Sequence, residues 1–376
     1  MFLVIFYFSI LLVSIYFFFK KPSSKTAPQC VSKQIELTEQ IPLLNKEGKI
    51  TQEGWSRSAI WDYKRKSIHA KWFRIKEWEY YAILSHDKQI GLSITLSDLG
   101  YAAFISLTWF DFKSSNYTQY EEIKFFTKGN LGLKEPFSDC SVEFKGKKIQ
   151  IKIEPKGDYR IISLTAPKFQ TKDGKTGLMG KIQLYQDPEM EYMSIATSWK
   201  DRKKFYYNNK VNNMTTAGEL TIGKEIIEFT PTNDFACLDW GRGNWTYNNC
   251  WYWGSASGLV DGVPFGFNLG YGFSDRTPAT ENCIMYDGKV HKLDQITFHL
   301  DNKNYLKDWT FTSNNNRLNL TFKPLLDRSS DANFLLIRSK QHQVFGTFSG
   351  TVELDNGKLI EIKNFLGFAE QVYNRW

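Results

Sequence analysis

Apolar and polar positions alternate with a period of two along much of the chain, the pattern of half-buried β-strands. Ile149, Ile151 and Ile153 alternate with Gln150, Lys152 and Glu154. Residues 91–97 and 101–112 read as two β-rich runs around Asp98-Leu99-Gly100. In the C-terminal half, turn pairs separate such runs. Asp261-Gly262 lies between residues 253–260 and 263–269, Asp287-Gly288 between 282–286 and 289–298, and Asn356-Gly357 between 351–354 and 358–362. Gly223-Lys224, between 219–222 and 225–229, adds a fourth candidate hairpin. Asn-Gly and Asp-Gly supply the positive φ angles that tight hairpins need. Beyond residue 19 no long stretch has helical periodicity, and only a short helix over residues 367–376 is expected.

Many short antiparallel strands predict barrels or sandwiches, and 376 residues suffice for two. Asp98-Leu99-Gly100-Tyr101 is echoed by Asn268-Leu269-Gly270-Tyr271, which favours a tandem. The expected class is all-β, two tandem antiparallel β-barrels or sandwiches, with domains at 41–205 and 206–376 divided near the charged run Lys200-Asp201-Arg202-Lys203-Lys204.

Residues 2–19 break the alternation, being apolar except for Tyr7, Ser9, Ser14 and Tyr16. As a helix they span roughly 27 Å, close to the roughly 30 Å hydrocarbon core of a bilayer. No Lys or Arg precedes the run, and Phe17-Phe18-Phe19 occupies the place of a small-residue cleavage site. An uncleaved transmembrane anchor at 1–19 is therefore expected rather than a signal peptide. Lys20, Lys21 and Lys25 follow it, so the single-pass topology reads N-terminus out, large domain cytoplasmic. Residues 20–40, with Pro22, Ser23, Ser24 and Pro28, read as a tether.

Five cysteines without a CxxC pair suit a reducing compartment and argue against structural zinc. The net charge of +8 is mild and the lysines are scattered, so no nucleic-acid partner is expected. There is no GxSxG elbow, P-loop or GxGxxG after a strand, which disfavours α/β-hydrolases, NTPases and Rossmann enzymes. No second group has metal-ligand spacing with His291. Neither a metal nor a cofactor is expected.

Aromatics reach 16% and crowd the candidate sites. Leu238-Asp239-Trp240-Gly241-Arg242-Gly243-Asn244-Trp245 offers an acid and a guanidinium in one loop. Asp239 reads as a proton donor and Arg242 as a ligand-orienting group, or the two form a locking ion pair. Trp251-Tyr252-Trp253-Gly254-Ser255-Ala256-Ser257-Gly258 puts Trp251 and Trp253 on one strand face. They line an apolar cavity, or the small residues let two sheets pack closely. Glu281 and His291 lie on opposite arms of the Asp287-Gly288 hairpin with Asn282 opposite Leu293. They are raw material for proton transfer, or a polar rim pair. In Lys76-Glu77-Trp78-Glu79-Tyr80-Tyr81, Glu77 and Glu79 share a face; carboxylates turned inward there would mark function, though outward is the ordinary case. Catalytic candidates are thus Asp239, Glu281 and His291; ligand-binding candidates are Arg242, Trp251, Trp253, Asn268, Asn282 and Glu77.

The order of these segments, together with Gly54-Trp55-Ser56-Arg57, Gly266 to Phe273, Phe345 to Gly350 and Gly367-Phe368-Ala369-Glu370, resembles the domain-of-unknown-function family numbered 2804, from about Ile41 to Trp376. The N-terminal anchor departs from that family's soluble chain. More loosely, the chain is similar to two-domain lipocalin-like proteins that include carotenoid hydratases and terpene- or polyketide-modifying cyclases. That similarity implies a lipocalin-like fold and an aromatic-lined site between or inside the barrels. The leading expectation is a membrane-tethered binder of a hydrophobic small molecule, lipid or isoprenoid, acting if at all as a cofactor-free hydratase, isomerase or cyclase. A carbohydrate-active β-sandwich and a non-catalytic membrane scaffold are the alternatives.

Overall fold

A computed structural model describes residues 33–334 and 336–376. The expected anchor at 1–19 and most of the expected tether lie outside these residues. Among the described residues no helix is long and apolar enough to cross a membrane.

The described residues are all-β, built mainly from two curled half-barrel sheets. The only helices described are two 3-10 turns, Arg65–Ser67 and Trp72–Arg74. Both sheets follow one plan. In the first, Ile75–Ser85, Ile90–Asp98, Ala102–Asp111 and Asn116–Phe125 meander outward to an edge, while Asp234–Asn244 returns to pair with Ile75–Ser85. In the second, Asn248–Val260, Val263–Tyr271, Cys283–Tyr286 and Lys289–Lys292 meander outward, while Leu359–Arg375 returns to pair with Asn248–Val260. In the first sheet the echo starts at Asp98, the last residue of Ile90–Asp98, and runs into the turn beyond it; in the second it closes Val263–Tyr271.

The four hairpins form as the turn chemistry predicts, with Val260↔Val263, Tyr286↔Lys289, Glu353↔Leu359 and Ile222↔Glu225 facing one another. Asp261 and Gly262 take φ of 51° and 79°, and Asp287 and Gly288 take 49° and 74°, the left-handed pair of a tight hairpin. Two expectations change. Residues 367–375 are strand, not helix, because their backbone pairs on both sides, with Asn248–Val260 and with Ile337–Glu353. The change of sheet falls between Asn244 and Asn248, C-terminal to the charged run, because Phe205–Ile222 is paired on both sides within the first sheet.

Each sheet wraps one face around its own core. Tyr81, Ile83, Leu92, Ile94, Leu107, Phe205, Tyr207, Leu238 and Trp240 belong to the first; Phe265, Phe267, Phe298, Phe311, Phe322 and Phe348 belong to the second. Buried aromatic and aliphatic side chains occupy these interiors, and Ala256 of the small-residue run belongs to the second core. The outer faces meet in a seam. Tyr80, Ala82, Leu84, Phe110 and Cys237 of the first sheet pack on Trp253, Phe345, Leu366 and Phe368 of the second. Double-sided burial explains why Asp234–Asn244 is buried at every position, without alternation. Residues 34–37 also bridge the sheets: Ile35 N–H donates to Pro278 O, and Leu37 N–H donates to Trp55 O.

Candidate functional site

Strand parity sorts the candidate residues, since neighbours point to opposite faces. Asp239 and Arg242 are three apart and diverge. Arg242 enters the first core, fully buried, donating to Glu79 Oε1 at 3.2 Å and to the carbonyls of Trp78 and Lys134. Its guanidinium lies 3.9 Å from the Trp240 ring centroid. Glu77 and Glu79 turn inward to meet it: Tyr63 donates to Glu77 at 2.7 Å, Arg65 pairs with Glu77, and Tyr81 donates to Glu79. Burial raises the Glu79 carboxyl above its ordinary range, opposed by Arg242. This network sits away from the seam and leaves the expected Asp239–Arg242 pair unformed.

Asp239 faces the seam. Its carboxylate accepts from Asn208 Nδ2 at 2.6 Å and pairs with Lys210 Nζ at 3.1 Å. Lys210 lies 3.9 Å from the Trp253 ring centroid, so that indole face is already taken by an ammonium. Trp253 Nε1 donates to Asn268 Oδ1 at 2.7 Å, and Asn268 Nδ2 donates to Glu281 O at 2.9 Å. The Glu281 carboxylate accepts from Tyr206 OH at 2.8 Å. It lies so close to Gly270 that a Cβ there would sit 1.8 Å from Glu281 Oε1; only glycine admits it. Asn282 Oδ1 accepts from Gly270 N–H, holding the same stretch.

Trp251 leads to a residue the sequence reading did not single out as a site. Its Nε1 donates to Glu370 Oε1 at 2.9 Å, and Gln343 Nε2 donates to Glu370 Oε2 at 3.2 Å. Arg328 stands one step behind, donating to Gln343 Oε1. Burial pushes the Glu370 carboxyl up to about 7, opposed by the Trp251 hydrogen bond and by Lys210, and reinforced by Asp239. Burial likewise raises Glu281, opposed by Lys210 and Tyr206. Lys210 thus acts electrostatically on Glu281 and Glu370 while ion-paired to Asp239. Burial thus raises both Glu281 and Glu370, and it is Glu370 that reaches about 7 against the opposing charges of Lys210 and Arg328.

Aromatic side chains frame one end of the cluster. Trp245 meets Trp78, Trp199, Trp251 and Trp376 at centroid distances of 5.8, 5.3, 5.6 and 5.7 Å. Trp78 stacks on Tyr206. The buried Nε1 groups of Trp245 and Trp376 and Asn208 Oδ1 have no hydrogen-bond partner among the described residues. Trp78, Trp199, Trp251 and Trp376 are half-buried, and Asp239 and Glu370 each keep 8% exposure, so the seam reaches solvent here.

The structure therefore brings together Asp239, Glu281, Trp251, Trp253, Asn268 and Asn282. It separates Arg242 and Glu77, which lie in the first core. It also separates His291, which faces Asp355 at 3.4 Å on the rim and is opposite Ile284 in its hairpin. Lys210, Tyr206, Asn208 and Glu370 complete the cluster. Among the described residues no group of three or more His, Cys, Asp and Glu side chains is placed to hold a metal ion.

Kievitone hydratase from Nectria haematococca shares the fold, with a TM-score of 0.50 and 15% identity over 94% of this chain and 98% of that one. CghA in complex with Sch210972 aligns at a TM-score of 0.48 and 8% identity, over 80% and 88%. An AttH candidate from Nitrosomonas europaea aligns at 0.47 and 12% identity, over 80% and 92%. No curated protein matches the chain in sequence. Residues 34–376 match the family described as Domain of unknown function (DUF2804), and the chain belongs to that family.

Proposed function

We propose that the chain binds an apolar or amphipathic small molecule of the lipid or isoprenoid class at the seam, and acts on it by cofactor-free acid–base chemistry. The observation that carries this reading is Glu370. It is a carboxyl pushed up to about 7 beside the Asp239–Lys210 ion pair, where half-buried tryptophans bring the seam to the surface. A group with that pKa is a competent general acid at neutral pH. Glu370 gives its proton to an alkene carbon of the ligand. The cation that develops lies among indole faces and next to carboxylates. Capture by water, with its proton passing to Glu281 or Asp239, completes a hydration; loss of a neighbouring C–H proton to the same groups completes an isomerisation. The fold shared with a hydratase makes hydration the first reaction to test. Residues 2–19 hold the chain at a membrane, N-terminus out, a reading supported by hydropathy and by Lys20, Lys21 and Lys25.

The test incubates the full chain in D2O with farnesol, geranylgeraniol and retinol, followed by mass spectrometry. Carbon-bound deuterium or addition of water to at least one probe is expected, abolished in Glu370→Gln. No reaction with any probe, alike in wild type and variant, counts against acid–base catalysis on isoprenoid alcohols.

A non-catalytic scaffold is the second reading. It is favoured by the satisfaction of every expected site charge: Asp239 by Lys210, Arg242 by Glu79, Glu281 by Tyr206 and His291 by Asp355. It predicts an empty seam and no turnover.

A further inference from the structure

An outer edge of the first sheet carries a patch that its own core does not use. Phe125 and Phe126 are 72% and 70% exposed, and Ile123, Trp72 and Phe73 are 40%, 37% and 38% exposed. These residues are contiguous. Phe126 N–H donates to Tyr101 O and Lys128 N–H to Gly100 O, and Gly100 lies directly against the Trp72–Phe73 backbone. Lys128 Nζ stands 5.7 Å from the Trp72 ring centroid and Lys71 Nζ 5.9 Å from that of Phe73. Lys66 and Lys124 are exposed nearby in the chain.

The presentation of Phe126 is held against strain. Its φ is 57° and that of Lys128 is 56°, a region that bulky residues rarely occupy. Buried Asp98 fixes the loop: its carboxylate accepts from Gly100 N–H at 2.8 Å, Thr127 Oγ1 at 2.7 Å and Leu131 N–H at 3.1 Å. The Asp98-Leu99-Gly100-Tyr101 motif thus anchors an outward-facing aromatic instead of building a core. The patch also continues toward the seam. Trp78 faces Ser97, Ser97 faces Phe104, and Phe104 faces Ile123, one cross-strand row on the outer face.

We infer that this edge docks on the surface of an anionic phospholipid bilayer. Large aromatics with neighbouring lysines match the layered chemistry of a membrane interface, rings at the headgroup boundary and ammonium groups on lipid phosphates and carboxylates. The row from Ile123 to Trp78 then joins the bilayer surface to the aromatic end of the seam. The inference concerns the surface alone and stands whether or not the seam is catalytic.

The test places an environment-sensitive fluorophore at Phe125→Cys or, as a comparably exposed apolar control at 67%, at Leu359→Cys. Signal from native cysteines in the unsubstituted chain is subtracted. The full chain is reconstituted into phosphatidylcholine vesicles, with or without phosphatidylserine, containing brominated acyl chains. The expected result is quenching at 125 and not at 359. Phosphatidylserine deepens the quenching at 125, and Lys71→Glu with Lys128→Glu removes that phosphatidylserine-dependent part. Equal quenching at both positions, none at 125, or no response to phosphatidylserine overturns the inference. So does a label at 125 shielded in detergent by crosslinkable dimers or by residues 2–19, since another occupant then covers the patch.

Discussion

Replacing Glu370 with glutamine keeps the shape and removes the titration. The wild-type carboxyl titrates at about 7 in the folded chain and near its ordinary value of about 4.3 when unfolded. Between these values the folded state holds a proton that the unfolded state has released. Stability therefore falls as pH rises through that window, then levels off above about 7. From pH 5 to pH 8 the loss from this group is about 3 kcal/mol, at 1.36 kcal/mol per pH unit. Glu370→Gln has no such loss. Urea unfolding of both chains at pH 5, 6, 7 and 8 in one mild detergent gives the difference curve. The variant should gain on the wild type by roughly 3 kcal/mol across that range, reached by pH 8, with unchanged m-values. Parallel curves would refute the placement of a proton on Glu370, and with it the general-acid assignment.

Arg242→Met strands Glu79 in the first core and should cost roughly 3 to 5 kcal/mol, read as a lowered urea midpoint without a change in seam ligand selectivity. Gly270→Ala forces the Glu281 carboxyl away from its place, since the new Cβ would sit 1.8 Å from it. The expected outcome is a lower melting temperature and loss of deuterium incorporation together, with the melting temperature but not the incorporation partly recovered in Gly270→Ala/Glu281→Ala. Lys210→Met removes the ammonium that opposes the raised Glu281 and Glu370 values. The pH at which activity falls should move upward, measured as a pH–rate profile on whichever probe reacts.

What the sequence reveals here is what is local. Asp261-Gly262 and Asp287-Gly288 dictate their turns by backbone sterics alone, so those hairpins are legible. The seam depends on pairing between distant strands. Residues 367–375 lack visible alternation because both of their faces are covered, and a fully buried strand resembles a buried helix in pattern. That is why Glu370, a lone acid closing the run Phe365-Leu366-Gly367-Phe368-Ala369, carries the family resemblance without standing out as a site; an acid in so apolar a run is the available signal. Lys210 stands among Asn208, Asn209, Asn212 and Asn213 in the Phe205–Ile222 strand, and nothing in so polar a run marks it as the partner of Asp239. Asp239 and Arg242 read as parts of one loop, but Asp234–Asn244 is a strand, and its parity sends the two to opposite faces. Which of the two faced a partner sheet required the fold. The inward turn of Glu77 and Glu79 likewise depends on Arg242 and Arg65, which tertiary pairing brings to them.

The central claim is that the seam holds an apolar ligand against the Asp239–Glu281–Glu370 cluster. It is tested most directly by native mass spectrometry of the full chain, then by solvent extraction, for wild type and for Trp251→Ala. A stoichiometric lipid-like species is expected in the wild type and lost from a Trp251→Ala chain that is destabilised but still folded at the temperature of the measurement. A chain that is empty in both forms, or a species bound equally by both, would contradict it.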